Sequence, residues 1–499
     1  MAALGRFRGL FGQCLVRSFS SSWPRKTAVR YYSSTSSSAS SSSSIPSSSL
    51  SSSSTFDHFR FSYFAKPQEK IDYQRLFNLL ADLDPFPESA VILVTPDFYT
   101  DITENYDVIS PIISKLPRKS PSRPFHILIA VVDGIPSTLP AGTPTKKALS
   151  VLSGRLEELL PDMWKPRLAS SSSREADSVG AIEFDTGDAR ITLPLARTTF
   201  LNGMTSTLVA LQYTTSGESL TLEKSLEKNR QRIVLPPVKG RNLFLRIPLV
   251  PITHSRIVTD SFGNIIKTVE VNGKKSVPAS MELEKAVETL ASKRFPSGVP
   301  PESWGIWAMV TAESSAKDVP NLSPFPLTEP VSQDHLKTSS QHLEQLCKSG
   351  GRLYRILSGG GGWGNKKGLL SLDPQQSHPC PGEDDGEMLP DTGTFEIAPP
   401  GSRIQFFATA SEPLYRPPRP ARLVVGVSDG PGAVGENPDP DSQEAIERRR
   451  MKGHDVHGSH NLSLGQFGAL SSSGIFVDGC IKSKLDTPGC RLDIDTSGD

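Results

Sequence analysis

Residues 33–55 are almost all serine, and this run limits what the chain can fold into. A polar, low-complexity segment has no apolar surface to offset the entropy that is lost on ordering. We therefore expect residues 33–56 to form a disordered linker. The folded part then begins near Asp57 and has roughly 440 residues, which at about 150 residues per domain predicts two to three domains.

The segment before this linker has the composition of a mitochondrial transit peptide. Residues 1–56 contain six basic residues and no acidic residue, Asp57 being the first acid. Import presequences are rich in Arg and Ser and poor in acids. The sequences RSFS at 17–20 and RYYS at 30–33 resemble presequence cleavage sites. We predict a transit peptide at residues 1–32 and a location in the mitochondrial matrix; the alternative is an ordinary disordered tail.

Charge indicates which partners the folded part can attract. Six of the 54 basic residues lie in the leader, which leaves 48 against 53 acidic residues, so the remainder carries about −5. Nucleic-acid affinity comes mostly from Lys and Arg that neutralise phosphates. We therefore expect no strong nucleic-acid binding, although a local basic patch is still allowed.

Cysteine spacing and hydropathy exclude further classes of protein. The five cysteines lie far apart and form no disulfide framework or metal knuckle: Cys14, Cys347, Cys380, Cys480 and Cys490. We expect reduced thiols, no metal and no cofactor. No run approaches 18 consecutive apolar residues, so no transmembrane helix is predicted.

The first part of the folded chain alternates helical and strand patterns. The predicted helices are residues 71–83, 110–116 and 146–160, and the predicted strands are residues 89–96 and 126–134. Apolar runs without alternation are typical of strands that are covered on both faces. The fold class predicted is α+β (mixed α/β), with helix and strand layers on a mostly parallel sheet in the N-terminal part, followed by a strand-rich second half.

Strand-like runs dominate after Pro161. A charged helix is predicted at 222–231, a hairpin or flexible excursion with an Asn-Gly turn at 258–275, and a helix at 281–295 that Ser280 caps. A helix at 334–351 ends at Gly350. We expect one domain at 57–317, a Pro-rich linker at 318–333 and a second α+β domain at 334–499, with disordered loops at 375–401 and 431–452.

A glycine-rich stretch between 359 and 367 is the main candidate site. Gly359, Gly361 and Gly364 satisfy G-x-G-x-x-G, but a dinucleotide site needs a helix there, and Pro374 ends any such helix within ten residues. A Walker loop fails as well, because Asn365 occupies the position of its lysine.

What remains at this stretch is a loop with close backbone approach, an aromatic face at Trp363 and positive charge at Lys366 and Lys367. Such a loop suits an anionic ligand, through backbone N–H groups and the lysines. It also suits a sharp turn in which Trp363 fills the core.

Two further patterns carry chemistry. The sequence GVSDG at 426–430 has the form of a hydrolase elbow, with Ser428 as nucleophile and partners available downstream: Asp439, Asp441, His454, His457 and His460. The elbow needs a helix directly after the serine, and the Gly/Pro-rich sequence there does not favour one. The same three histidines, closed by Asp455, suit zinc, but their Gly-rich setting favours a solvated loop.

Residues 71–140 resemble the N-terminal part of FIST proteins, the F-box and intracellular signal transduction family. The resemblance rests on an amphipathic helix, the strand VILVTPDFY, a short helix and the strand HILIAVVDGI with Asp133 and Gly134. The whole chain also resembles a group of fungal mitochondrial proteins described as FIST-like. The resemblance implies small-ligand sensing and carries over no catalytic residue.

We therefore predict a soluble mitochondrial protein that binds or senses a small anionic molecule or a protein partner without catalysis. The site residues expected are Gly359, Gly361, Trp363, Gly364, Lys366 and Lys367. One alternative is a serine hydrolase that uses Ser428. The other is an accessory factor of mitochondrial gene expression, which rests on the basic sequence ERRRMKGH at 447–454.

Overall fold

A computed structural model describes fourteen stretches of the chain: residues 59–65, 88–104, 123–136, 147–166, 179–216, 219–235, 243–295, 304–314, 319–326, 331–359, 368–378, 396–410, 423–429 and 462–494. The leader, the serine-rich linker and the predicted helices at 71–83 and 110–116 lie outside these residues.

Strands dominate the described residues. They are β1 (Arg60–Ala65), β2 (Ser89–Val94), β3 (Phe125–Val131), β4 (Lys147–Gly154), β5 (Ala181–Asp185), β6 (Ala189–Pro194), β7 (Leu208–Ser216), β8 (Ser219–Glu227), β9 (Arg230–Val234), β10 (Leu243–Arg246), β11 (Leu249–Pro251), β12 (Arg256–Phe262), β13 (Ile265–Val271), β14 (Lys274–Pro278), β15 (Ile306–Thr311), β16 (Arg352–Gly359), β17 (Leu370–Leu372), β18 (Arg403–Thr409), β19 (Leu423–Val427), β20 (Leu462–Leu464), β21 (Phe467–Ser471), β22 (Ile475–Gly479), β23 (Ser483–Leu485) and β24 (Arg491–Ile494). The helices are α1 (Pro96–Glu104), α2 (Leu156–Leu159), α3 (Thr199–Asn202), α4 (Ala279–Arg294) and α5 (Gln333–Lys348).

These strands form three open sheets and one closed barrel. The open sheets have the orders β20-β1-β4-β2-β3-β7-β8, β10-β24-β19-β21 and β23-β22-β6-β5-β9. The remaining sheet, β11-β18-β12-β13-β17-β16-β15, closes because β15 also pairs with β18. The mixed, strand-rich α+β class is confirmed, and the closed barrel was not predicted.

The prediction of a mostly parallel N-terminal sheet is wrong. In the seven-stranded sheet only β2 and β3 pair in parallel, and the other neighbours are antiparallel. The main reason is β4, which was predicted as a helix and instead lies between β1 and β2. Its two faces enter two different cores, Leu149 and Val151 in one and Ala148 and Leu152 in the other. A segment that is apolar on both faces cannot be assigned by periodicity alone.

The helix predicted at 222–231 is also wrong. Leu222 and Leu226 have helical spacing, yet the segment forms most of β8 and the start of β9. Across the strand pair, Glu223 accepts hydrogen bonds from the side chains of Gln212 and Thr214, at 3.0 and 2.8 Å. These cross-strand contacts favour the strand conformation, although the local sequence pattern of the segment suits a helix.

Alternation along the barrel strands separates its interior from its exterior. In β15, Ala308 and Val310 join the interior core, whereas Trp307 and Met309 join the large core that the barrel shares with the other sheets. The helix α4 contributes Leu283, Ala286 and Leu290 to the interior core. These apolar side chains extend the packing of the barrel interior.

Both predicted late helices are present. The helix α5 is capped by Ser332, whose Oγ accepts from the N–H of His335. The predicted cap of α4 is wrong, because the helix begins one residue before Ser280 and the Ser280 hydroxyl donates to Glu284 at 2.7 Å.

Strands from the two sides of the predicted linker at 318–333 share every sheet. For example, β20 pairs with β1, β24 with β10, and β22 with β6. Hydrogen-bonded strand pairs therefore cross the predicted domain boundary in every sheet.

Candidate functional site

The glycine-rich stretch connects two paired strands of the barrel. It follows β16 and leads into β17, and the two strands are antiparallel, with Gly359 opposite Leu370. The next described element after the glycines is the strand β17. Because a dinucleotide fold and a Walker loop both place phosphate at a helix N-terminus, this hairpin connection fits neither.

Of the predicted site residues only Gly359 is described; Gly361, Trp363, Gly364, Lys366 and Lys367 lie outside the described residues. A Cβ at Gly359 would lie 2.5 Å from Cδ2 of Leu370, which is fully buried in the barrel interior. The missing side chain at Gly359 therefore lets Leu370 fill the core. The structure gives this glycine a packing role.

The far end of the glycine-rich stretch is fixed by Gly368. Its φ of +91° is a left-handed conformation that glycine adopts without strain, and a Cβ there would lie 2.7 Å from the Pro278 side chain. Its carbonyl accepts a hydrogen bond from the N–H of Ser280 at 3.2 Å. The stretch thus ends against the last residue of β14 and the first turn of α4.

A hairpin rich in lysine begins at the same place on the barrel rim. The strands β13 and β14 are joined by Asn272 and Gly273, both at positive φ, which confirms the predicted Asn-Gly turn. Lys274 and Lys275 are exposed, and no carboxylate among the described residues pairs with either. Lys275 lies three positions before Pro278, about 10 Å along the strand.

Two acidic side chains at the start of α4, next to the base of the hairpin, have their own partners. Glu282 in the first turn of α4 binds Arg256 through two hydrogen bonds of 2.6 and 2.9 Å, and this bonding raises the pKa of the Arg256 guanidinium. Glu284 accepts from Ser280. These two glutamates are thus engaged elsewhere, and Lys274 and Lys275 are exposed to solvent on the strand that pairs with β13, which carries Glu270. We call the glycine-rich connection, residues 359–368, and the lysine hairpin, residues 265–278, the basic rim.

Ser428 lies at the end of β19, where the elbow pattern requires a preceding strand. Its N–H donates to the carbonyl of Ser471 at 3.1 Å and continues the parallel ladder with β21. The predicted partners Asp439, Asp441, His454, His457 and His460 lie outside the described residues. Within those residues, no hydrogen bond joins Ser428 to a histidine.

Asp133, one of the residues of the FIST resemblance, has a structural contact. Its Oδ2 accepts from the N–H and the hydroxyl of Ser472, at 2.7 and 2.8 Å, and Gly134 bridges to Leu470. Asp133 thereby ties the seven-stranded sheet to the four-stranded sheet.

The two buried cysteines, Cys347 and Cys490, offer little reactivity, whereas Cys480 is exposed. Cys347, Cys480 and Cys490 are free thiols. Burial raises the pKa of Cys347 to about 12 and raises that of Cys490 well above its ordinary value. A buried thiol with a raised pKa is a poor nucleophile at neutral pH.

No family model matches this chain, and neither a curated protein nor a solved structure matches it. The FIST resemblance therefore stays a prediction. Over the described residues, the structure contains no group of three or more His, Cys, Asp or Glu side chains that suits a metal, and no helix there is long and apolar enough to span a membrane.

Sequence reasoning missed Lys274 and Lys275 as candidate site residues. The Asn-Gly turn before them was visible, but the position of the base of this hairpin against Gly368 was not. That position depends on the pairing of β13 with β17, whose residues lie about a hundred positions apart in the chain.

Proposed function

We propose that this protein is a FIST-like mitochondrial protein of the matrix that binds a small anionic molecule at the basic rim and does not catalyse a reaction. The observation that carries the proposal is the contact of Gly368 with Pro278 and Ser280. Gly368, the last residue of the glycine-rich stretch, lies at the base of the lysine hairpin, and Lys366 and Lys367 precede it in the sequence.

Physical chemistry supports an anion at this position. Hydrogen bonds to charged groups contribute about 1.5–3 kcal/mol each, roughly twice the neutral value. Four lysines from two neighbouring segments supply such donors, and Trp363 supplies an aromatic face. Loops at the mouth of a barrel are common places for small ligands.

A fluorescence titration tests the proposal. Purified protein is titrated with dicarboxylates, tricarboxylates and phosphate esters, and the Trp363→Phe variant gives the background from the other tryptophans. We expect one class of anion to change the Trp363 emission, and Lys366→Ala with Lys367→Ala to abolish the change.

The matched control is Lys285→Ala with Lys293→Ala, two exposed lysines of α4. This variant has the same net charge and should bind as the wild type does. Unchanged binding in the Lys366/Lys367 variant contradicts the proposed site. A native mass spectrum of protein purified from its own cells identifies a ligand that stays bound.

Serine hydrolysis is the second candidate, and the position of Ser428 at the end of a strand favours it. A fluorophosphonate probe should label Ser428 in the folded protein if this candidate holds, and Ser428→Ala should remove the label. An unlabelled folded protein rules it out.

A further inference from the structure

The sequence contains two Asn-Gly dipeptides, Asn202-Gly203 and Asn272-Gly273. In such a pair the peptide nitrogen of the glycine can attack the amide carbon of the asparagine side chain, because glycine has no Cβ to hinder the approach. The result is spontaneous deamidation, which replaces a neutral amide with a carboxylate. The local structure decides whether each asparagine can react, so the two pairs can be compared directly.

Exposure does not distinguish the two pairs. Asn202, Gly203, Asn272 and Gly273 are all exposed, and both glycines have open space where a Cβ would lie. Both glycines also have a positive φ, +78° for Gly203 and +80° for Gly273. The two pairs differ in the hydrogen bonding of the reacting groups.

The reacting groups of the first pair are all bound. The Nδ2 of Asn202 donates to Oγ1 of Thr207 at 2.8 Å, and its Oδ1 accepts from the N–H of Met204 at 3.1 Å. The N–H of Gly203 donates to the carbonyl of Thr199 at 3.0 Å and caps α3. Attack at Asn202 therefore requires these three hydrogen bonds to open first.

The reacting groups of the second pair lack such contacts. Among the described residues, no hydrogen bond reaches the Asn272 side chain or the Gly273 N–H. Only one residue pair, Val271 with Lys274, lies between this turn and the irregular step in the ladder of β13 and β14. The strand β14 pairs with β13 and with no other described strand. The tip of such a hairpin opens easily, because few contacts hold it.

We propose that Asn272 is a self-modification site, where deamidation to aspartate or isoaspartate lowers the positive charge of the basic rim. In the first step a bond forms from the Gly273 nitrogen to Cγ of Asn272, the bond from Cγ to Nδ2 breaks, and ammonia leaves with the Gly273 amide proton. Water then opens the resulting succinimide, at Cγ to give aspartate or at the backbone carbonyl to give isoaspartate. Water is the only co-reactant.

The new carboxylate lies within a short charged segment. Lys274 and Lys275 follow Asn272 within three positions, and Glu270 precedes it by two. A carboxylate at position 272 joins Glu270 against the two lysines. The isoaspartate form also adds a backbone carbon to a two-residue turn and so disturbs its geometry. The lowered anion affinity rests on the proposed function of the basic rim, whereas the modification itself does not.

Peptide mapping by mass spectrometry tests the modification within one sample. The full chain is kept in mildly alkaline buffer at physiological temperature, and the deamidated fraction at each asparagine is followed with time. Since each hydrogen bond that must open slows the reaction, we expect Asn272 to deamidate at least about tenfold faster than Asn202. In urea the two rates should become similar, because unfolding removes the contacts that protect Asn202.

Binding measurements test the consequence. Isothermal titration with inorganic phosphate compares the wild type with Asn272→Asp, and we expect about threefold weaker binding, since exposed charges interact weakly through solvent. Asn202→Asp has the same net charge, so it is the matched control and should bind as the wild type does. Asn272→Gln should stay unmodified during the incubation and keep its phosphate affinity.

The outcomes that contradict each part differ. Deamidation at Asn272 that is absent, or no faster than at Asn202 in the folded protein, overturns the modification site. Deamidation at Asn272 with equal phosphate affinity in the wild type and Asn272→Asp overturns the regulation of the basic rim. A wild type that binds no phosphate overturns that regulation together with phosphate as a ligand of the basic rim, and leaves the modification site in place.

Discussion

Lys274 and Lys484 both lie on strands, and they are held in opposite ways. Lys274 is exposed at the tip of a hairpin and has no described carboxylate partner, whereas Lys484 is buried and contacts Asp373, Gln375 and Asp486. An exposed charge costs little to keep and stays available to a ligand. A buried charge is tolerated only with its partners, so it ties distant segments together.

The largest expected effect is the loss of folding stability in Lys484→Met. This change leaves the carboxylates of Asp373 and Asp486 in a largely buried site without their cation, and breaking a buried pair costs about 3–5 kcal/mol. Urea denaturation measures the free energy of unfolding. Adding Asp373→Asn and Asp486→Asn should restore part of the loss, and Lys274→Met should cost less than about 0.5 kcal/mol. An equal loss of unfolding free energy in Lys484→Met and Lys274→Met would contradict the view that only the buried lysine stabilises the fold.

The next effect concerns the base of the basic rim. In Gly368→Ala the new Cβ meets Pro278 and the backbone keeps a φ of +91°, so we expect a loss of about 2–3 kcal/mol. Gly273→Ala is the matched control, because it has a φ of +80° and open space around it. Its cost should be about 1–2 kcal/mol, from backbone strain alone. If thermal melts show the same loss for both glycines, the contact with Pro278 is not tight.

A smaller effect concerns ligand affinity and not stability. Lys274→Glu with Lys275→Glu should weaken binding of the anion found in the Trp363 titration by about tenfold, or ~1.4 kcal/mol, and leave the melting temperature unchanged. Isothermal titration measures the affinity. Lys285→Glu with Lys293→Glu changes the net charge equally, so a similar loss there would point to a general charge effect and not to the basic rim.

The smallest effect is the pH dependence of residues 373–378, the polar segment that covers Lys484 and Phe476. Burial lowers the pKa of His378 below its ordinary value, the hydrogen bond to the Val179 carbonyl opposes this, and Arg230, which pairs with Glu183, lowers the pKa further. The packing of residues 373–378 on the sheet thus favours the neutral His378 ring. Its contribution is complete above the unfolded pKa of about 6.5 and is lost as the pH falls from there towards the folded pKa.

Amide hydrogen exchange measures this pH effect. Protection of residues 375–378 should fall a few-fold between pH 7.5 and pH 5.5, after correction for the intrinsic exchange rate. His378→Gln should remove the dependence. A pH dependence that persists in this variant would assign the effect to another group.

Much of the local structure could be predicted from the sequence. The apolar runs that became β2 and β3, the Asn-Gly turn before Lys274 and the late helix α5 were all visible, because each depends on neighbours within a few residues. The failures at β4 and β8 share one cause. Their side-chain patterns suit a helix as well as a strand, and only the neighbouring strands decide between the two.

The candidate sites divide in the same way. The sequence indicated the glycine-rich stretch, but the pairing of β16 with β17 on either side of it and the contact of Gly368 with the base of the lysine hairpin needed the closed barrel. The partners of Lys484 needed still more distant contacts, since Asp373 lies 111 residues away in the chain.

By itself the sequence determined some of the apolar strands, such as β2 and β3, the Asn-Gly turn, and that the first 56 residues carry no acid. The tertiary structure alone decided which strands pair, that one sheet closes into a barrel, and which lysines are exposed or buried. The physical reason is that strand pairing joins residues hundreds of positions apart, as Phe61 and Leu464 show. A hydrogen-bond ladder of that kind leaves no periodic signal in the sequence on either side.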